Sequence, residues 1–424
     1  MEDVVEVAYG EGWDLATRTL WRPLTAEAAA VRDAAGLPYV AAYRRAGREA
    51  PLEVRLTSWR DHFTGVWVYD EQGRRTCRLD LRLLDGDRLL HHEAERWSYP
   101  AAGAPEFDPG CERRKMTLYP DGRGSDERER PGRGLFVSSA DVPEEQRRLD
   151  RPGFGSWPLF SAQEHGIADG VPFAVAEPEP EPEPEGNGEG EPKGLWSAPR
   201  PAEPVCLDEL FRPGTRLAAG YHPDVTVLPP VAQGTLRVPS GELAVDAPDN
   251  YGEGGPRIVI PVPPGEYALE EAQTRARGES YVSTPAARLR LSDAPVASWE
   301  MALGEDDDVR LLGDGEAYGF GTDGASGCFA DAAAWDALKQ RFARAHMEGD
   351  EEAGEGIADS LYFLRTADPE AAGGAGADLA AFYTCGDGVW PVWIGRSAAG
   401  DVVCVTVVGD FDYMAPKVIA QPTA

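Results

Sequence analysis

Apolar and polar residues alternate along much of the first third of the chain, and a period of two predicts strands. The clearest stretch is RRTCRLDLRLL. Cys77, Leu79, Leu81 and Leu83 fall on one face of it and Arg78, Asp80 and Arg82 on the other, the pattern of a half-buried antiparallel strand. LEVRLTSW, TGVWVYD, RLLHHEAERWSY and RRKMTLY continue the alternation, with turn chemistry at Asp70-Glu71-Gln72-Gly73 and Asp85-Gly86-Asp87. Before them, Thr25 precedes AEAAAVRDAA and Gly36-Leu37-Pro38 follows it, which predicts an N-capped short helix with a Gly/Pro stop. Residues 1–173 therefore read as an antiparallel meander with a short helix.

All periodicity stops at Glu177 to Glu191, EPEPEPEPEGNGEGE. Alternate prolines remove backbone donors, the glutamates repel one another, and nothing apolar is available to bury. A disordered Glu/Pro/Gly tether is expected over 174–204. Beyond it, 205–424 is a run of short strands punctuated by glycines, with one clear helix. Asp331 is its expected N-cap, and Trp335, Leu338 and Phe342 form one stripe. The fold class that follows is mainly β (α+β), in two domains joined by the tether.

Charge narrows the function. The 424 residues carry 41 Lys plus Arg and 73 Asp plus Glu, a net of −32. Residues 1–150 hold 23 basic and 28 acidic side chains, whereas 201–424 hold 15 and 36. Such acidity argues against nucleic acid and against an anionic membrane surface, both of which need clustered cations. Arg75, Arg78, Arg82, Arg88, Arg96, Arg113, Arg114 and Lys115 do gather in the meander beside Trp67 and Trp97, but Asp80, Glu93 and Glu95 lie among them. Cross-strand ion pairs are the expected arrangement. His91-His92 reads as ordinary strand, its two rings on opposite faces. The acidic start of the chain lacks a signal-peptide pattern, and no apolar run suffices to span a bilayer, so a cytoplasmic location is expected. The six cysteines form no CxxC and the six histidines no HExxH, so neither a metal nor a cofactor is predicted.

Two Gly/Asp-rich loops are the candidate site: Gly321 to Asp331 (GTDGASGCFAD) and Thr384 to Trp393 (TCGDGVWPVW). Glycines permit close backbone approach, and carboxylates beside them can meet a cation, a proton or a basic partner. If the loops meet, Asp246, Asp323, Asp387 and Asp410 converge, Gly327 and Gly388 shape the backbone, and Trp390 and Trp393 wall a pocket. Spaced three apart in a strand, the two tryptophans should take opposite faces. Asp323-Gly324 and Asp387-Gly388 are equally good hairpin dipeptides. Cys328 and Cys385 are weak candidates for a nucleophile, since His222 and His346 are the only histidines of the second domain. Catalytic residues stay unassigned.

SGELAVDAP, VPPGEYALE, AARLRLSDAPVASWEMAL, GFGTDGASGCFAD and GDGVWPVWIGRSAAGDVVCVTVVGDF follow one another in this order. Together they resemble the bacterial and fungal family catalogued as domain of unknown function 4241 (DUF4241), over roughly 215–413. The resemblance implies a domain boundary and no mechanism. The reading is an acidic cytoplasmic, non-enzymatic binding or interaction protein, of inhibitor or immunity type, whose partner is a basic protein. The alternative is a hydrolase-like or metal-binding domain using Asp323, Asp387 and Asp410. Oligomeric state is left open.

Overall fold

The computed structural model describes residues 4–45, 48–168, 171, 173–178, 194–249, 254–347, 362–365 and 376–422. The chain divides into two units, Met1–Arg200 and Pro201–Ala424. It is mostly β, with 48% strand and 11% helix.

The first unit is built round one long sheet. Its order is Gly134–Asp141, Arg123–Arg130, Glu112–Leu118, Arg88–Ser98, Arg75–Asp85, Phe63–Tyr69, Glu53–Ser58, Tyr39–Arg45, Val5–Asp14 and Phe173–Val175. Neighbours are antiparallel except the last pair. The meander is present and extends further at both ends than the alternation indicates. Thr25 caps the helix Ala26–Ala34, its hydroxyl accepting from the Ala28 amide at 3.2 Å.

Two cores lie on opposite faces of the sheet's centre. Tyr39, Ala41 and Tyr43 join Val5, Val7 and Ala29 in one, while Val40 and Ala42 join Trp13, Val54 and Leu56 in the other. With both faces covered, alternation no longer separates core from solvent. Asp80 and Arg82 correct the sequence expectation here: each is only 3% exposed, and they pair with each other beneath the Phe63 ring. A bulge at Asp80/Leu81, opposite His92, shifts the register at this point. His92 is buried with Nδ1 2.9 Å from the Leu118 carbonyl oxygen, and burial lowers the His91 pKa.

Away from that centre, charges take over. Glu93 holds Arg78 at 2.9 Å and Lys115 at 2.6 Å, Glu95 holds Arg113, and Asp126 holds both Arg114 and Arg128 at 2.8 Å. The clustered bases are thus ion-paired with neighbouring carboxylates on a partly solvated face.

Residues 179–193, the Glu/Pro-rich centre of the expected tether, lie outside the described residues. Both flanks are folded onto the first unit. Phe173–Val175 pairs with Val5–Val7, the Trp196 amide donates to the Trp13 carbonyl at 2.9 Å, and the Trp196 ring lies 6.3 Å from Trp67.

The second unit has three layers. An eight-stranded sheet runs in the order Ser298–Met301, Val392–Arg396, Val402–Val408, Ser283–Arg290, Gly265–Ala276, His222–Val238, Arg216–Ala219, Lys417–Ala420. A five-stranded sheet runs Ile258–Pro261, Glu242–Asp246, Ser326–Asp331, Asp378–Tyr383, Tyr362–Arg365. Leu243, Val245, Phe329, Ala380 and Phe382 of the smaller sheet meet Leu236, Leu269, Leu289 and Val405 of the larger one. On the far face of the smaller sheet, Ala244, Cys328 and Leu379 receive Trp335, Leu338 and Phe342 of the helix Trp335–Met347. Full burial of each such aliphatic side chain contributes about 1.5–3 kcal/mol. Asp331, wholly buried, ties the layers by accepting from the Ala334 amide at 3.2 Å and the Ser240 amide at 2.9 Å. No helix among the described residues is long and apolar enough to cross a membrane.

Candidate functional site

The two Gly/Asp loops meet. Phe320–Thr322 and Gly388–Trp390 form a two-stranded antiparallel ribbon, with Phe320 opposite Trp390 and Thr322 opposite Gly388. Asp323 and Asp387 are the residues immediately beyond that last rung, and both are exposed. Gly388 has φ of 146°, a conformation that favours glycine. Gly327 is needed for a different reason: a Cβ there would lie 2.5 Å from the Phe320 ring and 2.7 Å from Phe382. The Thr322 hydroxyl accepts from the amides of Gly324 and Ser326, at 3.2 and 3.3 Å, and so folds the turn.

Backbone bonds join the second loop to its surroundings. The Thr384 amide donates to the Ala325 carbonyl at 2.9 Å, and the Cys385 amide to the Gly409 carbonyl at 2.6 Å. Cys385 Sγ accepts from the Phe411 amide at 3.3 Å, which brings Asp410 and Phe411 to the ribbon. Asp410 itself caps the short turn Phe411–Tyr413, accepting from the Asp412 amide at 3.0 Å. Burial raises its pKa above the ordinary value, and His222 nearby offsets part of that rise.

Asp246 lies elsewhere. It is 3% exposed within the five-stranded sheet, opposite Cys328, and its two oxygens accept from the Ala247 and Arg257 amides, each at 2.7 Å. Its pKa is raised by burial. Asp249 takes its place at the ribbon: it packs against Gly324, where a Cβ would fall 1.6 Å from the carboxylate. Among the described residues, no group of three or more His, Cys, Asp or Glu side chains is arranged to hold a metal ion.

The tryptophans are core rather than pocket walls. Trp390 is fully buried between the two sheets, and Trp393, 5% exposed, belongs to a separate core with Tyr413 and Val408. What faces solvent here is Phe411, 53% exposed, its ring centroid 4.3 Å from that of Trp390. Val389, on the ribbon, is 57% exposed. Cys328 is buried under the helix, and burial pushes its thiol well above the ordinary value, the state of an inert cysteine. Cys385 is exposed, and the His346 side chain lies outside the described residues.

Sequence reasoning did not single out Phe411, Val389 or Asp249 as site residues. Phe411 follows Asp410 directly in VGDF, and an aromatic next to a capping carboxylate was the available signal.

The fold is thus a helix-backed pair of packed β-sheets presenting one Gly/Asp ribbon. Residues 236–407 of it match the family described as protein of unknown function (DUF4241), and the N-terminal part has no family match. No curated protein matches the chain.

Proposed function

We propose that the second unit is a non-catalytic binding module, working in the cytoplasm as an inhibitor or immunity-type protein for a basic protein partner. The observation that carries this reading is Phe411, held half-exposed on the fully buried Trp390. An aromatic that is both exposed and seated on a rigid core contributes contact area at little entropic cost, as interface anchors do. Asp323, Asp387 and Asp410 give it an acidic rim on a unit with 36 acidic and 15 basic side chains. That field speeds encounter with a cationic surface, while the apolar centre supplies lifetime. Two of the four candidate carboxylates are engaged otherwise. Asp410 caps a turn, and Asp246 fixes two amides.

The test places a photoreactive phenylalanine analogue at position 411 of the full-length chain, with position 281 as control, in the native cells. Tyr281 is 71% exposed and lies off the ribbon. The expected result is one adduct specific to position 411, with a basic protein, lost at high salt. Phe411→Ala then weakens the purified complex by about 30-fold, or about 2 kcal/mol. Equal labelling at both positions contradicts the reading, as does turnover of a small substrate that is abolished by Asp387→Asn.

A further inference from the structure

Both units end in open sheet edges, and the edges are not alike. Phe173–Val175, Ile258–Pro261, Ser298–Met301, Tyr362–Arg365 and Lys417–Ala420 are edge strands of three or four residues. Short strands are the usual protection of an edge against pairing with another chain. Gly134–Asp141 differs. It has eight residues in regular register with Arg123–Arg130, carries neither Pro nor Lys, and has no bulge. Leu135, Phe136 and Val137 are 58%, 56% and 63% exposed, so apolar side chains stand out on both faces of the sheet. The Val142 amide donates inward to the Gly122 carbonyl at 3.0 Å. By the alternation of an antiparallel ladder, the amides and carbonyls of Leu135, Val137 and Ser139 then point outward, and no strand among the described residues pairs with that side.

We infer that this strand is a self-association edge, pairing antiparallel with the same strand of a second copy of the chain about a two-fold axis at Val137. Charge favours a copy as the occupant. The chain carries −32 overall and copies repel, yet residues 112–141 hold seven basic and six acidic side chains, so two chains approach here without net repulsion. Arg113, Arg114, Lys115, Arg123, Arg128 and Arg130 are all ion-paired within the hairpins. Arg133 and Asp141, at the two ends of the edge strand, are exposed and have no ion-pair partner among the described residues. A two-fold at Val137 sets Arg133 of each copy against Asp141 of the other, Leu135 against Ser139 and Phe136 against Ser138. Both leftover charges are then matched twice, as a self-complementary interface requires. A two-fold at Phe136 would set Asp141 against Pro131 and leave both charges unmatched.

The experiment is sedimentation of the full-length chain over a wide concentration range, with circular dichroism as the fold control. The proposal predicts a reversible dimer of twice the 45.8 kDa chain. Val137→Pro removes an outward amide and should leave the chain monomeric at the same concentrations. Val137→Lys, which keeps the amide, should do the same if the proline variant misfolds. Asp141→Arg should weaken the dimer about tenfold by turning two attractive pairs repulsive, and the double variant R133D/D141R should recover wild-type association. A monomer throughout, a dimer indifferent to Val137→Lys, or a double variant no better than the single one overturns the proposal.

Discussion

The edge strand Gly134–Asp141 and the ribbon Gly388–Trp390 both show apolar side chains to water, and they are supported in opposite ways. Behind the ribbon lies a closed core: Phe411 rests on Trp390, and Trp390 on Phe320 and its neighbours. Behind the edge strand lies RGSDERER, a strand whose own neighbours are charged residues. The ribbon therefore offers side chains in a fixed position, which suits one shaped partner. The edge strand offers backbone, which suits another strand. Exposure alone does not say how a surface is used; what stands behind it does.

The carboxylates of the two regions differ in the same sense. Asp126, near the edge, is held to about 2 by hydrogen bonds from Arg114 and Arg128. Asp410, by the ribbon, is raised by burial. A carboxyl with a depressed native pKa stabilises the fold above its unfolded value, and that contribution is lost as pH falls through the native value. A raised one contributes the other way: its stabilisation is present in acid and disappears as pH rises through the native value.

The largest expected effect breaks the ribbon's support. Trp390→Ala should cost about 3–5 kcal/mol in urea unfolding of the second unit, because a fully buried indole leaves a cavity between the sheets. In the first unit, Glu53→Gln should cost about 3 kcal/mol in the same measurement. Glu53 is fully buried, pairs with Arg55 and accepts the Ser161 amide at 2.8 Å, so its loss strands a buried guanidinium. Smaller effects sharpen the pH contrast. Hydrogen exchange should show the strands around Asp126 losing protection between about pH 4 and about pH 2. Asp126→Asn should remove that slope, and Asp410→Asn should instead remove a loss of protection around Phe411–Tyr413 as pH rises. Smallest of all, Val389→Ser should change the unfolding free energy in urea by no more than about 0.5 kcal/mol, since the side chain is 57% exposed.

Much of the fold was legible because its signals are local. Thr25 and Gly36 bound one helix, and the stripe Trp335, Leu338, Phe342 marks the other. The strands that escaped notice lack apolar alternation for physical reasons. Tyr39–Arg45 is buried at five successive positions, so both of its faces can be apolar. Arg123–Arg130 has no apolar side chain to bury and is held by ion pairs. At the site, Trp390 and Trp393 fall in two different strands, on either side of Pro391, and each enters a separate core, which a spacing of three does not reveal. Phe411 comes to the ribbon through a Cys385 contact 26 positions away, a juxtaposition no local pattern encodes.

The claim that the ribbon's carboxylates serve a contact surface rather than a cation or a reaction is tested most directly by thermal unfolding of the full-length chain. The chain is melted with EDTA and then with calcium, magnesium or zinc, in the wild type and in Asp387→Asn. A bound native-state cation at a hundredfold excess over its dissociation constant would stabilise by about 2.7 kcal/mol. The account predicts the same melting temperature in every condition and in both proteins. A saturable upward shift with one cation, absent in Asp387→Asn, would contradict it.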